Sequence, residues 1–302
     1  MTPILFAMPG NEALADQICR ARAWEAGRWE TRRFPDGESY VRYLCDIKGR
    51  EVAIVCSLAD PDARAIALYL AACVARELGA SRVGLAVPYL AYMRQDIAFH
   101  PGEGMTAIHF ARLLSSACDW LVTVDPHLHR IHHLGEVYSV PTRAVRASPS
   151  IAAWIAANVQ LPLLVGPDAE SEQWVSEVAA VAGCPFTLLQ KTRNGDREVE
   201  VSVPVVAAWR DRTPVLVDDI ASTAMTMIGA VARMHEAGLR APWCIAVHPL
   251  FAGDAHAALR AAGVAGIVSS NTIAHESNRI DMSGPIADAI ELLSGVGHVL
   301  RV

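Results

Sequence analysis

Two adjacent carboxylates, Asp218 and Asp219, close an apolar run that begins at Pro214. Ser222, Thr223, Ala224, Met225 and Thr226 follow, ahead of a helical stretch. The first N–H groups of a helix lack an intrahelical partner and carry the positive end of its dipole, so such a start attracts a phosphate. Two acids at the carboxyl end of a buried parallel strand sit where open α/β sheets bind ligands, and they suit sugar hydroxyls or a metal. The plainer alternative is a strand, loop and helix in which Ser222 only caps the helix.

Four other segments carry candidate chemistry. The tract from Asp125 to His133 places His127 and His129 as an H-x-H pair at an expected strand end, which locally resembles a hydrolase zinc site; the acid ligands to complete it are not identifiable at recognisable spacing. Lys191 and Arg193 open the polar stretch KTRNGDREVEV, whose Asn-Gly reads as a hairpin tip. This is either a two-stranded flap carrying two cations or a solvated hairpin with charges at its base. The chain has two lysines, Lys48 and Lys191, against 24 arginines, so a lysine here points to a need for a compact ammonium. Pro35, Asp36, Gly37 and Glu38 predict a turn. Arg94 and Gln95 follow an apolar run, and the arginine offers a planar fork for phosphate oxygens.

The elements that must position these residues follow an α/β pattern. Strands are predicted at Ile4–Met8, Val52–Leu58, Val83–Tyr89 and Trp120–Asp125, with helices at Pro61–Leu78 and Met105–Ala117. The second half repeats the scheme, with strands at Leu163–Asp168, Phe186–Lys191, Pro214–Ile220, Trp243–Leu250 and Gly266–Asn271. Its helices are expected near Glu172–Ala182, Thr223–Ala237 and Pro285–Leu293. Such alternation predicts two similar doubly wound domains with parallel sheets, 1–146 and 147–302, divided in the turn-rich stretch Pro141–Ser150.

Composition narrows the function classes. With 52% hydrophobic and 19% charged residues among 302, the chain is a folded protein and not a disordered one. A net charge of −6 gives no general attraction to nucleic acid or an anionic membrane, so any phosphate site must be local. The longest apolar run, Ala65–Ala75, falls short of the roughly 20 residues of a membrane span. The N-terminus lacks a basic region ahead of an apolar one, so a cytoplasmic protein is expected. Seven scattered cysteines without a C-x-x-C pair read as free thiols.

The apolar strand, Asp-Asp pair and Ser/Thr-rich helix start resemble the phosphoribosyl-pyrophosphate loop shared by phosphoribosyltransferases and ribose-phosphate pyrophosphokinases. Phe34-Pro35-Asp36-Gly37-Glu38 resembles the early Asp-Gly-Glu motif of the pyrophosphokinases, and Pro88–Asp96 resembles their Tyr-x-Arg-Gln-Asp segment. Val124-Asp125-Pro126-His127, Gly166-Pro167-Asp168 and Lys191-Thr192-Arg193 follow in that family's order, and the match covers essentially the whole chain. Ordinary phosphoribosyltransferases lack the first domain.

The resemblance implies a phosphoribosyltransferase-like fold for both domains, with ATP on the first and ribose 5-phosphate on the second. It implies transfer of the diphosphoryl group of Mg-ATP to the anomeric hydroxyl of ribose 5-phosphate, giving 5-phosphoribosyl 1-diphosphate and AMP. By it, Asp36, Gly37 and Glu38 contact adenine across a subunit boundary in a homo-oligomer, and Arg94 and Gln95 bind ATP. His127 and Asp168 hold Mg2+, while His129, His132 and His133 are surface or structural. Lys191 stabilises the transferring group and Arg193 contacts the ribose phosphate or the transition state. Asp218, Asp219, Ser222, Thr223, Ala224, Met225 and Thr226 bind ribose 5-phosphate. Two segments depart from the family pattern. Ser222-Thr223-Ala224-Met225-Thr226 stands for Asp-Thr-Ala/Gly-Gly-Thr, and Ala169-Glu170-Ser171-Glu172 stands where the family has glycines after its Pro-Asp. They leave a catalytically silent regulatory subunit, or a phosphoribosyltransferase, as alternatives.

Overall fold

The structure is a computed structural model that describes residues 2–98, 100–167, 171–194, 198–202 and 209–295. It divides into two compact units, residues 1–145 with 272–274 and 282–302, and residues 146–271 with 275–281.

In the first unit the chain runs through β1 (Ile4–Ala7), α1 (Glu12–Arg22), β2 (Trp29–Arg33), β3 (Ser39–Tyr43), β4 (Glu51–Val55), α2 (Pro61–Glu77), β5 (Arg82–Val87), α3 (Thr106–Ala117), β6 (Trp120–Val124) and β7 (Thr142–Val145). A parallel sheet orders them β1-β4-β5-β6-β7, while β2 and β3 form a separate antiparallel hairpin. Every residue of β4 and β6 is buried. That is why these strands read as near-continuous apolar runs, interrupted only by the buried Glu51 and Thr123: helices cover both sheet faces and no polar alternation survives. Pro61 opens α2, where a fixed φ favours the first helical turn.

The second unit runs through α4 (Ser148–Asn158), β8 (Pro162–Gly166), α5 (Glu172–Ala182), β9 (Phe186–Leu188), β10 (Gln190–Asn194), β11 (Glu198–Ser202), β12 (Thr213–Ala221), α6 (Met225–Glu236), β13 (Trp243–Pro249), α7 (Ala255–Ala261), β14 (Gly266–Ser270) and β15 (Asn278–Ile280). Its parallel sheet has the order β15-β14-β13-β12-β8-β9, and β10 and β11 form an antiparallel ribbon. The winding reverses between β8 and β12: β9 is added on one side, and β13, β14 and β15 on the other.

The last helix, α8 (Ser283–Gly295), corrects the expected division, which left everything after residue 147 in the second domain. It belongs to the first unit, where it packs on α1 and on β5, β6 and β7. Ile286, Ala287, Ile290 and Leu293 are its buried stripe, and the Arg82 guanidinium takes its last carbonyls, Leu293 O at 3.3 Å and Ser294 O at 3.0 Å. Apolar periodicity in a sequence reveals a helix and its buried face, but not which sheet that face covers. Two local expectations also change. Ser148 and Pro149, read as turn residues, are the first turn of α4, and the single strand expected over Phe186–Lys191 divides at Leu189 into β9 and β10.

All seven cysteines are free. Burial pushes the Cys56, Cys118 and Cys244 thiols up to about 12, so they pack as small apolar groups and not as nucleophiles. No helix among the described residues is long and apolar enough to cross a membrane.

Candidate active site

The carboxyl ends of β8 and β12, on either side of the winding reversal, are where a doubly wound sheet leaves a crevice for ligands. β12 extends through both acids, and Asp218 and Asp219 are half-buried at its end. The Asp219 N–H donates to the Asp218 carboxylate at 3.0 Å, which turns the first acid back over the backbone. β8 ends at Gly166 and leads into Pro167; Asp168, Ala169 and Glu170 lie outside the described residues.

Between β12 and α6 the chain makes a tight left-handed step at Ala224, with φ +57 and ψ 8. Met225 is already the first residue of α6, and the first helical bond runs from the Ile228 N–H to Ala224 O at 2.8 Å. The conformation that favours glycine therefore falls on Ala224, whose methyl group is buried, and not on Met225. Met225 is 67% exposed, so its side chain points away while its N–H stays in the helix's first turn with those of Thr226 and Met227. Ala224 is also the N-cap position and has no capping oxygen, so Ser222 does not fill the simple cap role. Ser222 is half-buried, and Thr223 and Thr226 are exposed. A row of N–H groups at a positive helix end, flanked by hydroxyls and two carboxylates, is chemically suited to a sugar phosphate.

Lys191 and Arg193 lie in β10, paired with Val201 and Val199 of β11. Asn194 pairs with Glu198, so it belongs to the strand and the connection spans residues 195–197, not the two-residue Asn-Gly tip expected from the sequence; those three residues lie outside the described ones.

The nucleotide candidates belong to the first unit. β5 and β6 are neighbours, with Val87 opposite Thr123, so the loops that follow them start side by side. Arg94, on the first loop, is exposed, and Gln95 is half-buried. His127 and His129, on the second, meet edge-on with their rings 4.2 Å apart and their Nε2 atoms separated by 2.6 Å. The buried Asp96 fastens the two loops together, accepting the Arg130 backbone N–H at 2.9 Å and the Arg130 guanidinium at 3.2 Å. Neither Asp96 nor Arg130 was among the residues singled out from the sequence for a site. Asp96 follows Arg94 and Gln95 in a polar run, so nothing in the sequence marks it, and not its neighbours, as the buried group that must find a partner.

Asp36, Gly37 and Glu38 form the exposed tip of the β2–β3 hairpin, whose strands sequence reasoning missed. Gly37 holds φ +94, and its N–H closes the turn on Phe34 O at 2.9 Å. The Arg32 guanidinium lies 4.7 Å from the Phe34 ring and 4.3 Å from the Tyr40 ring, which stiffens the hairpin behind its acidic tip.

Among the described residues no group of three His, Cys, Asp or Glu side chains could hold a metal. The zinc reading of the H-x-H pair therefore has no third protein ligand there. Magnesium prefers oxygen, and a lone imidazole fits it only where phosphate oxygens and water complete the shell.

Residues 3–118 match the N-terminal domain of ribose phosphate pyrophosphokinase, and residues 142–278 match the phosphoribosyl transferase domain. The ribose-phosphate pyrophosphokinase of Methanopyrus kandleri is 33% identical over 271 residues, 88% of this chain and 91% of its own length. That of Halobacterium salinarum is 31% identical over 95% of this chain and all of its own. The crystal structure of phosphoribosylpyrophosphate synthetase from Mycobacterium smegmatis shares the fold, with a TM-score of 0.84 over 99% of this chain and 100% of that one, at 23% identity. With relatives of one name matched along nearly the whole of both sequences, the chain belongs to the ribose-phosphate pyrophosphokinase family.

Proposed function

We propose that the protein is a ribose-phosphate diphosphokinase that converts Mg-ATP and ribose 5-phosphate to AMP and 5-phosphoribosyl 1-diphosphate. The observation that carries the reading is the acid pair and helix start at the winding reversal of the second unit's sheet, in a chain of this family. The N–H groups of Met225 and Thr226, with the hydroxyls of Ser222, Thr223 and Thr226, take the 5-phosphate, and Ala224 shapes the step. Asp218 and Asp219 hold the ribose hydroxyls at the other end of the sugar.

The anomeric oxygen forms a bond to the β-phosphorus as the bond from that phosphorus to the bridging oxygen of AMP breaks. Such a transfer leaves the protein little covalent work, and rate comes from in-line positioning and charge neutralisation. Lys191 neutralises the moving diphosphoryl group, and Arg193 holds the ribose phosphate or the charge that builds up in transit. Arg94 and Gln95 bind ATP, with Arg94 gripping phosphate oxygens through its planar fork. His127 and Asp168 would hold magnesium brought in with the nucleotide, which would supply charge neutralisation at the phosphate oxygens. Asp36, Gly37 and Glu38 reach the adenine of a neighbouring subunit, which makes the protein a homo-oligomer. Seven free thiols suit work in the reducing cytoplasm.

The test is to incubate purified protein with Mg-ATP and ribose 5-phosphate. AMP with 5-phosphoribosyl 1-diphosphate is expected. ADP would mean an ordinary kinase, and no turnover a silent regulatory subunit.

A further inference from the structure

The step between β12 and α6 is held from outside by a segment that the reaction does not use. The Phe251 N–H donates to Ala221 O at 2.8 Å and the Ala252 N–H to Ser222 O at 3.0 Å, so the loop's backbone hangs on these two donors. Phe251 itself holds φ +36, a conformation uncommon for a large side chain, which persists only where the surroundings impose it.

Phe251 belongs to the buried core that includes Ala221, Ala224 and Met227, and its ring also meets two histidines. The buried Phe251 ring lies 5.1 Å from the His256 ring and 4.9 Å from the His275 ring, and the histidines meet each other edge-on at 4.7 Å. Each is anchored from behind. His256 Nδ1 lies 2.9 Å from the Glu276 carboxylate. His275 Nδ1 accepts the Ser277 N–H at 3.1 Å and lies 2.8 Å from its Oγ, which in turn lies 2.7 Å from Ser269 Oγ on β14. Burial and the neighbouring His256 hold the His275 imidazole below the usual histidine range, which keeps Nδ1 an acceptor.

We propose that Phe251, packed against the His256 and His275 pair, is a positioning residue that braces the 221–224 loop for the 5-phosphate of ribose 5-phosphate. The proposal rests on the reading of residues 222–226 as the sugar-phosphate cradle. An anion site made of backbone donors works only if their directions are fixed before the anion arrives. Here the loop turns on Ala224, a non-glycine residue at positive φ, and a second such residue, Phe251, supplies one of the opposing hydrogen bonds and sets the direction of the other, from Ala252. The ring cluster holds Phe251 in place and anchors the loop to β14 without touching the substrate.

The test measures KM for each substrate, and the melting temperature, in full-length Phe251→Leu, Phe251→Tyr, His275→Asn and Thr226→Val. Phe251→Leu should raise KM for ribose 5-phosphate about tenfold, the scale of a misplaced binding group, and leave KM for ATP unchanged. Phe251→Tyr keeps the ring and should restore the wild-type value. His275→Asn added to Phe251→Leu should cost nothing further, because both disrupt one ring cluster. If Phe251→Leu does not fold, His256→Ala opens the ring cluster from α7 and should show the same selective rise. An unchanged KM for ribose 5-phosphate in Phe251→Leu or its substitute, or an equal rise for both substrates, overturns the brace. Weakened ribose 5-phosphate binding in Thr226→Val beside a wild-type KM in Phe251→Leu would overturn the brace alone. A wild-type KM for ribose 5-phosphate in Thr226→Val would overturn the cradle and the brace with it.

Discussion

Asp96 accepts both the backbone N–H and the guanidinium of Arg130, so one buried carboxylate sets the spacing between the loop that carries Arg94 and Gln95 and the loop that carries His127. Burial pushes the Asp96 carboxyl up, but the three Arg130 contributions outweigh it and hold the group below the usual carboxylate range. A folded-state pKa below the unfolded value contributes stability that is present above the unfolded value of about 3.9 and is lost as pH falls through the folded one.

Asp96→Asn should therefore cost about 1–3 kcal/mol at neutral pH, the range for a charge-assisted hydrogen bond to a buried group. The gap to the wild type, followed by urea denaturation, should stay constant from pH 8 to pH 5 and close below about pH 4. KM for ATP should rise while KM for ribose 5-phosphate holds. A gap that widens on acidification would remove the carboxylate from this role.

Lys191→Ala should lower turnover by about a hundredfold or more, as expected for deleting one preorganised stabiliser of developing charge. ATP binding, measured by calorimetry without the sugar phosphate, should change little. A near-normal rate would exclude Lys191 from the mechanism.

At Ala224, relief of the left-handed strain is opposed by the loss of a buried methyl and the extra freedom of an unfolded glycine. Ala224→Gly should accordingly fall within about 1 kcal/mol of the wild type. Ala224→Val has a branched Cβ at the same positive φ and should lose about 2 kcal/mol or more. Denaturation midpoints decide, and a Val variant as stable as the Gly one would mean the step carries no strain.

If the hairpin tip completes a neighbour's ATP site, two inactive variants should rescue each other. Asp36→Ala with Glu38→Ala in one chain, mixed with Lys191→Ala in another and reassembled, should restore about a quarter of wild-type activity by random pairing of isologous dimers. No recovery on mixing, with each variant oligomeric, would confine the tip to its own subunit.

The second unit's candidate site, as a strand, loop and helix start, was legible because its signals are local. The apolar strand, acid pair and helix start all fall within Pro214–Thr226, and strand continuity and helix onset are short-range properties. That Met225 would enter the helix was open to reasoning from backbone angles, but the left-handed step at Ala224 was not, since alanine carries no turn signal. The β2–β3 hairpin was hidden for a different reason. Glu30, Arg32, Arg33 and Arg42 make its strands look like a solvated loop, and their apolar anchor is remote: Trp29 and Tyr43 pack on Phe6. The Asp96–Arg130 pair spans 34 residues, and Phe251 meets His275 from 24 residues away, so neither could emerge from spacing alone.

The placement of α8 ties residues 283–295 to a sheet built from residues 1–145. During synthesis residues 1–145 leave the ribosome with the surfaces of α1, β6 and β7 still uncovered, because the helix that covers them is translated after the second unit. Domains ordinarily mature from the N-terminus onward, but here the first unit completes its core only after the second has been made. A ribosome stalled anywhere in the second half releases an apolar surface in place of a usable N-terminal unit. Truncation ahead of Ser283 would thus act as a lesion in the first unit's sheet, far away in sequence.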